Sequence, residues 1–376
     1  MKNLKNISLL RNALPFWLSL TTLPVIIFAA YMGGAWLWLS IIHAWVLIGA
    51  WDAFEGVNHE NPETDVSDEN LFWYRMITII WFPIQFVMIY GLIYFVVRSD
   101  YAVWEMILLM FSAGILSGSI GIVYAHELMH QKPKFERHLG DLLMAMALYG
   151  HFRSEHLLVH HRYVGTPRDP VTARYNEGFH RFFPRVLIGS FKSAWAAEKA
   201  MLARKGLPPF YRSNPFWKYM ILQAIFLLLA VWVGGLLGLG LYLVQAYSAV
   251  AQLELVNYVE HYGLTREHLG NGKYEHCKPH HSWNSAHRVT NYFLINLQRH
   301  SDHHYKPDRR FPLLQTYGAD DAPQLPIGYP AMTAMALIPP LWRRRMNPRV
   351  RSWRKQFYPQ ITDWQDYNKA TNPMPR

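Results

Sequence analysis

Residues 101–130 read YAVWEMILLMFSAGILSGSIGIVYAHELMH, and this stretch decides the fold. The block 101–125 carries a single charged residue, Glu105, and is long enough to cross the ~30 Å hydrocarbon core of a bilayer as a helix. Directly after it, His126 and His130 are four residues apart and lie on one helix face, where both can bind one metal ion. The stretch therefore predicts a membrane helix that ends in metal-binding side chains.

The rest of the chain repeats this kind of apolar block. It has 376 residues, of which 51% are hydrophobic. The block 218–262 is too long for one span, and its middle, Gly234 to Gly240, reads GGLLGLG, which suits a turn between two helices. We therefore predict an all-α integral membrane protein with about six transmembrane helices. Their predicted ranges are 14–31, 34–51, 71–97, 101–125, 218–233 and 239–262.

Charge predicts how these helices are oriented. The net charge is +11, but the basic residues flank apolar blocks and no nucleic-acid-binding signature is present, so we expect no nucleic-acid partner. Six spans place both termini on one side. Lys2, Lys5 and Arg11 near one end, and Arg343, Arg344 and Arg345 near the other, make that side cytoplasmic. We read the first apolar block as a retained helix rather than a signal peptide.

This topology predicts one integrated domain with a cytoplasmic, histidine-rich cap. Residues 1–125 supply transmembrane helices one to four, and residues 218–262 supply helices five and six. The cap consists of residues 126–217 and residues 263–376, the second of which ends in a basic segment. A further apolar stretch, Ile327–Leu341, is too short to span and is expected at the membrane interface.

Nine histidines in four clusters are the candidate metal ligands. One zinc ion needs fewer, since a catalytic zinc takes three protein ligands, so nine imidazoles predict two adjacent metals. Imidazole binds Zn, Cu, Fe and Ni, so the ligand type does not select the metal. Cys277 is the only cysteine, which excludes a cysteine-based cluster. The nine are His126, His130, His156, His160, His161, His261, His300, His303 and His304.

Three alternative hypotheses for the function also agree with these residues. HELMH matches H-E-x-x-H, the zinc-protease helix, with Glu127 as general base, but a protease would leave the other seven histidines unexplained. A membrane fatty-acyl desaturase or hydroxylase would carry similar histidines and act on a different substrate. The third alternative is a metal-binding membrane protein without enzymatic activity.

Five motifs resemble a known family. HELMH, EHLLVHH, NYVEHYGL, LQRHSDHH and CKPHHSWNS at 277–285 resemble the histidine boxes of the membrane alkane monooxygenases, or alkane omega-hydroxylases. That family lies within the integral-membrane fatty acid desaturase and hydroxylase superfamily. The resemblance extends from the first span to about Arg345. Two positions depart from it: Gln131 stands where lysine is usual, and Val159 where glycine is common.

The resemblance implies a reaction and its partners. It implies two iron ions on the nine histidines, O₂ as co-substrate, and terminal hydroxylation of medium-chain n-alkanes, taken from the bilayer, to 1-alkanols. Electrons would come from rubredoxin, itself reduced by an NADH-dependent rubredoxin reductase. The expected location is a bacterial inner membrane, with the active site facing the cytoplasm.

Two further sets of residues are expected to support that reaction. Each ligating imidazole has a second ring nitrogen that faces away from the metal and carries a proton, called the far ring N–H here. Four carboxylates next to the ligands are expected to accept hydrogen bonds from these N–H groups and to offset the metal charge: Glu127, Glu155, Glu260 and Asp302. His280 and His281 are expected either to be structural or to contact the ligands from outside, because nine histidines already suffice for two irons. Arg343, Arg344 and Arg345 are expected to bind an acidic rubredoxin, although the same residues could simply bind anionic lipid.

Overall fold

The structure is a computed structural model that describes the backbone of residues 2–375 and the side chains of residues 7–375. Within these residues it is helical, with three isolated β-bridges and no strand, so the predicted all-α class is confirmed. The side chains of Lys2 and Lys5, on which the predicted orientation partly depends, lie outside the described residues.

The helices in chain order are α1 (Lys2–Ala13, Leu14–Thr21 and Thr22–Met32), α2 (Gly34–Glu55), α3 (Phe72–Val96), α4 (Val103–His130), α5 (Lys134–Met146), α6 (Phe152–Glu155, His156–His160 and His161–Tyr163), α7 (Phe179–Ala203), α8 (Phe216–His261), α9 (Arg288–Phe293), α10 (His300–Tyr305), α11 (Tyr329–Ala336), α12 (Pro339–Phe357) and α13 (Gln365–Lys369).

Five of these helices, α1, α2, α3, α4 and α8, are long and apolar enough to cross a membrane, so the chain is a multi-pass membrane protein. Their bounds lie near the predicted ones, although the second helix extends to Glu55 rather than to residue 51. The fourth helix continues beyond the apolar block to His130, as predicted for a membrane helix that ends in the two histidines. HELMH is therefore the last part of a membrane helix, and its histidines are held by a rigid element.

The helix α8 folds back on itself. It has 46 residues, and the backbone leaves the helical region at Gly235, where φ is 63° and ψ is −155°. The Tyr90 hydroxyl donates to the carbonyl of Phe226, while its ring stacks on Tyr242 at 5.8 Å, so residues from the two sides of Gly235 meet at one point. The turn predicted across Gly234–Gly240 is a single residue with positive φ, and the sequence on either side of it forms two antiparallel arms.

The helices α4 and α8 pack very closely, and glycines allow this. A Cβ atom at Gly118 would lie 2.5 Å from the carbonyl oxygen of Ala249, and one at Gly114 would collide with the carbonyl of Gln245. Small residues four apart are how membrane helices bring their backbones together. This packing fixes the end of α4, with His126 and His130, beside the end of α8, with His261.

The stretch Ile327–Leu341, predicted to lie at the interface, is buried in part. Tyr329 and Met332 are buried, while Ile338 and Leu341 are exposed, and the interfacial position stays a prediction. Its prolines start two helices, since Pro330 and Pro339 occupy the first turns of α11 and α12, where no N–H is needed. The helix α11 thereby contacts the end of α8, and the Tyr329 hydroxyl donates to Glu260 at 2.8 Å.

Candidate metal centre

The nine predicted histidines converge in two adjoining groups. Within each group, one ligand nitrogen from each ring lies within 4.8 Å of every other. The groups touch, because the rings of His161 and His304 are 4.8 Å apart. The first group, called the five-histidine group here, is His126, His130, His156, His161 and His303; the second, the four-histidine group, is His160, His261, His300 and His304.

Four chain segments supply these side chains. The last turns of α4 and α8 supply His126, His130 and His261, and α10 supplies the triplet at 300–304. In α10, His300 and His304 are one helical turn apart and enter the four-histidine group, while His303 faces the five-histidine group. Each of the two short helices, α6 and α10, therefore contributes to both groups.

A π-turn in α6 assigns its three histidines to their groups. Residues His156–His160 form a π-helical turn with hydrogen bonds from i to i+5. Such a turn places residues five apart above one another, and the Nε2 atoms of His156 and His161 are accordingly 3.0 Å apart. His160 points the other way, toward His261 and His304. An ordinary α-turn would instead have paired His156 with His160.

The nitrogen separations suit metal binding better than hydrogen bonding. The Nε2 atoms of His130, His156 and His161 form a triangle with sides of 3.0, 3.3 and 3.0 Å. In the second group, His300 is 3.0 Å from both His261 and His304. Neutral imidazole has one N–H, so mutual hydrogen bonds cannot satisfy all these nitrogens. Two nitrogens that are each roughly 2.1 Å from one ion lie about 3.0 Å apart for an angle of about 90° at the ion and about 3.4 Å apart for a tetrahedral angle, and the observed separations lie in this range. The residues present therefore fit two metal ions.

Burial keeps the imidazoles in the form that can ligate. Seven of the nine side chains are buried, with His160 and His261 each 1% exposed, while His130 and His161 are partly exposed. Burial, together with neighbouring imidazoles, lowers the pKa of His156, His161, His303 and His304 well below the usual value. Burial likewise lowers the pKa of His300 to about 3. Neutral rings leave their Nε2 lone pairs free for a metal.

The four neighbouring carboxylates have different surroundings. Only Glu260 contacts a predicted ligand, with Oε2 3.4 Å from His300 Nε2. Glu127 accepts from the Gln131 amide at 2.9 Å, and so bonds to the residue that departs from the family pattern. Asp302 pairs with Arg309 and accepts from the Tyr317 hydroxyl at 2.9 Å. None of these three accepts a far ring N–H from a histidine of the two groups.

Glu155 is buried without a hydrogen-bond partner for either carboxylate oxygen among the described residues. Burial, with Asp169 and Glu254 nearby, raises the pKa of the Glu155 carboxyl well above its usual range. A carboxyl group in such surroundings is neutral. The contact predicted between Glu155 and a far ring N–H stays a proposal.

Asp169 makes the contact that was predicted for the other carboxylates. Its Oδ2 is 3.0 Å from His160 Nδ1, the nitrogen that faces away from the group. Its remaining bonds come from the Thr172 hydroxyl and the Val171 N–H. Sequence reasoning missed Asp169 because it considered only acids adjacent to a ligand. The turn formed by TPRDP at 166–170 was the available signal.

A third set of polar side chains lies outside the two groups. His281 Nε2 and His280 Nε2 are 2.6 and 3.1 Å from the Tyr358 hydroxyl, which also bonds to Glu275. Because the Lys278 N–H donates to His281 Nδ1, the Nε2 atom of His281 carries the proton and donates to Tyr358. These hydrogen bonds satisfy one another, which agrees with the structural role expected for His280 and His281.

A narrow apolar cavity lies beside the histidines. Its volume is about 40 Å³. Val123 and Leu297 line it, and they precede His126 and His300 by three residues each. Tyr329, whose hydroxyl donates to Glu260, lines it as well. Ala44 and Trp45, on the membrane helix α2, form another part of its wall. The cavity, which has about the volume of one water molecule, therefore lies between a membrane helix and the segments that lead to the histidines.

The three arginines predicted to bind rubredoxin lie on α12. Arg344 and Arg345 are exposed, while Arg343 is half-buried beside the turn at Gly178. Further along the same helix, Arg354 is buried, with its guanidinium over the rings of Tyr175 and Trp364. The exposed basic surface of α12 is therefore smaller than the sequence count of arginines suggests.

The multi-pass helical fold and the two histidine groups agree with membership of the fatty acid desaturase class. Residues 102–336 match the fatty acid desaturase family model. The chain is 40% identical over 336 residues to alkane 1-monooxygenase 2 of Pseudomonas aeruginosa, covering 88% of each chain, and 37% identical over 358 residues to alkane 1-monooxygenase 2 of Alcanivorax borkumensis, covering 90% of each. It is 31% identical over 242 residues, 63% of each chain, to the xylene/toluene monooxygenase hydroxylase component of Pseudomonas putida. The chain belongs to the alkane monooxygenase family within the desaturase superfamily.

Proposed function

We propose that the protein hydroxylates the terminal carbon of medium-chain n-alkanes to give 1-alkanols, using O₂ and electrons from rubredoxin. The observation that carries this proposal is the convergence of nine imidazoles in two adjoining groups. The similarity to proteins named alkane 1-monooxygenases supports the same reaction class. Alkane hydroxylation rests on that similarity, and the terminal carbon is the position that the names of these relatives give.

Two iron ions are the metals that we assign to the site. When bound, they would supply the activation of O₂ that allows one oxygen atom to enter a C–H bond. The chain itself would hold both ions through neutral imidazoles and would limit solvent access to them, since seven of the nine ligand side chains are buried and His130 and His161 are partly exposed. His160 is fixed in place by Asp169 through its Nδ1–H, which leaves Nε2 free to ligate.

Substrate binding relies on apolar burial alone. An n-alkane has no polar group, and each buried CH₂ contributes about 0.8 kcal/mol. For octane this is roughly 6 kcal/mol before ordering costs, enough for useful affinity. The space of about 40 Å³ at Val123 and Leu297 would have to widen to receive the end of the chain. The bilayer, where alkanes partition, is the source of substrate.

We further propose a topology and an electron-donor surface. Both arms of α8 would span the membrane, giving six spans in a bacterial inner membrane with termini and histidines on the cytoplasmic side. The exposed Arg344 and Arg345, with Arg343 beside them, would attract an acidic rubredoxin. Rubredoxin would receive its electrons from an NADH-dependent reductase.

Zinc proteolysis receives no support from the geometry around Glu127. A protease would need Glu127 directed toward metal-bound water. Its carboxylate instead accepts from the Gln131 amide and from the N–H of Phe311 at 3.4 Å. The remaining seven histidines would also have no role.

Product analysis tests the proposal against the desaturase alternative. Iron-loaded protein in nanodiscs would be given octane or an octanoyl thioester, with O₂, rubredoxin and its reductase. We expect 1-octanol from octane and no unsaturated thioester. Conversion of the thioester with no alcohol from octane would establish the fatty-acyl reaction instead.

A further inference from the structure

A groove of about 530 Å³ opens on the cap beside the four-histidine group. One wall is the turn 165–174, which follows α6, and another is α7 at Gly189 and Lys192. The C-terminal residues Ala370 to Met374 form its edge, and the Tyr274 hydroxyl holds this segment by donating to Pro373. The groove is therefore built from three separate parts of the chain.

The groove is strongly basic. Arg168, Arg174, Arg185 and Lys192 line it, and Asp169 is the one acid among its lining residues. Glu177 neutralises Arg185 through contacts of 2.8 Å from two of its nitrogens. The side chains of Arg174 and Lys192 are exposed and make no ion pair with any described residue. At least two cations are thus available to an anionic partner.

The single acid of the groove connects it to the metal centre. Asp169 is 3% exposed, forms part of the groove wall, and binds His160 Nδ1 at 3.0 Å. One side chain therefore separates the groove from a histidine of the four-histidine group. A centre this deeply buried can exchange electrons with an external carrier only where the protein wall is thin.

We infer that this groove is the electron-entry site, where an acidic one-electron carrier protein docks and transfers electrons past Asp169 to the metal held by the four-histidine group. The inference rests on the proposed function, since each hydroxylation by O₂ consumes two electrons and two protons and releases one water. The carrier would dock twice, giving one electron and returning to its oxidised form each time. Positive potential at the groove would raise the encounter rate, and salt would suppress it.

The basic helix α12 adjoins this groove and would form its outer edge. The Arg351 guanidinium donates to the Tyr175 hydroxyl at 3.0 Å, and Asn347 donates to Asn176, so α12 packs along the turn that also presents Arg174. Arg344 and Arg345 would then steer the carrier, while the groove would receive it. This arrangement separates long-range attraction from the point of electron transfer.

The test compares two double variants of equal charge change in nanodiscs of uncharged lipid. Arg174→Gln with Lys192→Gln removes the free groove cations, and Lys199→Gln with Arg204→Gln removes two exposed cations of the α7 region outside the groove. Rubredoxin is the carrier, with its reductase in excess. We expect the groove variant to raise the KM for rubredoxin roughly 5- to 10-fold and to flatten its salt dependence, with the control unchanged. Alcohol yield in a single turnover of dithionite-reduced protein should match wild type.

Equal KM values and salt profiles in the two variants would overturn the inference. A groove that holds anionic lipid would also contradict it, because turnover would then respond to phosphatidylglycerol in the nanodisc while the KM for rubredoxin stayed constant. Failure of the proposed function has a separate signature, which is absence of alcohol from dithionite-reduced wild type. Even then, the rate at which ferric protein oxidises reduced rubredoxin would still report whether the groove cations matter.

Discussion

The Nε2 atoms of His156 and His161 lie 3.0 Å apart, although an α-helix would turn these two side chains away from each other. The π-turn between them is responsible, and it also turns His160 toward the other group. Adjacent histidines in the sequence, His160 and His161, therefore belong to different histidine groups. This division gives a direct way to address each site separately.

Replacing His160 or His161 by alanine should each remove one metal rather than both. We expect iron to fall from about two to about one per chain in either variant, and hydroxylation to fall roughly 100-fold or more, because both metals are needed. Metal analysis and octane turnover measure the two effects. His280→Ala is the control, since His280 bonds to Tyr358 outside both groups. Two irons retained in either variant would contradict the assignment of that histidine.

Asp169→Asn should weaken metal retention without removing a ligand. The change takes away the charge that His160 Nδ1–H faces, and loss of such a partner typically costs 10- to 100-fold in metal affinity. Dialysis against graded chelator concentrations would measure it. Asp302→Asn serves for comparison, because that carboxylate contacts Arg309 and Tyr317 rather than a histidine. Equal iron loss in the two variants would show that Asp169 has no particular role.

Acid should release the metals and destabilise the metal-free protein. Burial depresses the pKa of His300 to about 3 and that of His156 and His161 well below the usual value, so the folded state stays neutral while the unfolded state takes up protons below about pH 6.5. The unfolded state then binds more protons, and stability falls as the pH drops from about 6.5 toward 3. Measurements of iron release and of the melting temperature between pH 8 and 4 would detect both effects. Constant stability down to pH 4 would contradict the neutral-imidazole account.

Leu297→Ala should relax the position of hydroxylation. Leu297 lines the narrow cavity and precedes His300 by three residues, so truncating it enlarges this cavity of about 40 Å³. We expect the share of 2-octanol to rise while 1-octanol falls, as measured by gas chromatography. Val87→Ala is a matched control, because Val87 is 67% exposed on a membrane helix remote from the cavity lining. An unchanged product ratio would show that this cavity does not guide the chain end.

Gly118→Ala should destabilise the fold through the α4–α8 contact. The added Cβ would lie 2.5 Å from the Ala249 carbonyl oxygen, so backbones must separate at a cost of about 1–3 kcal/mol. Lower yield of folded protein and a lower melting temperature are expected. Gly91→Ala provides the comparison, since no atom lies within 4 Å of a Cβ there. Equal behaviour of the two variants would contradict the close-packing role of Gly118.

Much of this architecture could be predicted from the sequence, because its signals are local. Apolar length identified the membrane helices, and histidine spacing identified the nine side chains that the structure brings together. The division between the two groups could not be foreseen, since it depends on the π-turn at His156–His160. Asp169 was missed because its contact with His160 depends on a turn nine residues later.

Other differences have similarly specific causes. The predicted glycine turn in α8 contracts to Gly235, because only that residue adopts a positive φ while its neighbours remain helical. Glu127 and Asp302 are close to ligands in sequence, yet helix geometry directs them toward Gln131, Arg309 and Tyr317. Adjacent residues on a helix point about 100° apart, so sequence proximity to a ligand is a poor guide to contact with it.

The number of metal ions bound by the purified wild-type protein is the most direct test of whether the nine histidines form two metal sites. The protein would be produced with iron, exchanged into nanodiscs, and quantified for iron and zinc per chain. The account predicts about two irons per chain, with loss of roughly one in His160→Ala and one in His161→Ala. A wild-type content of one zinc and no iron would contradict it.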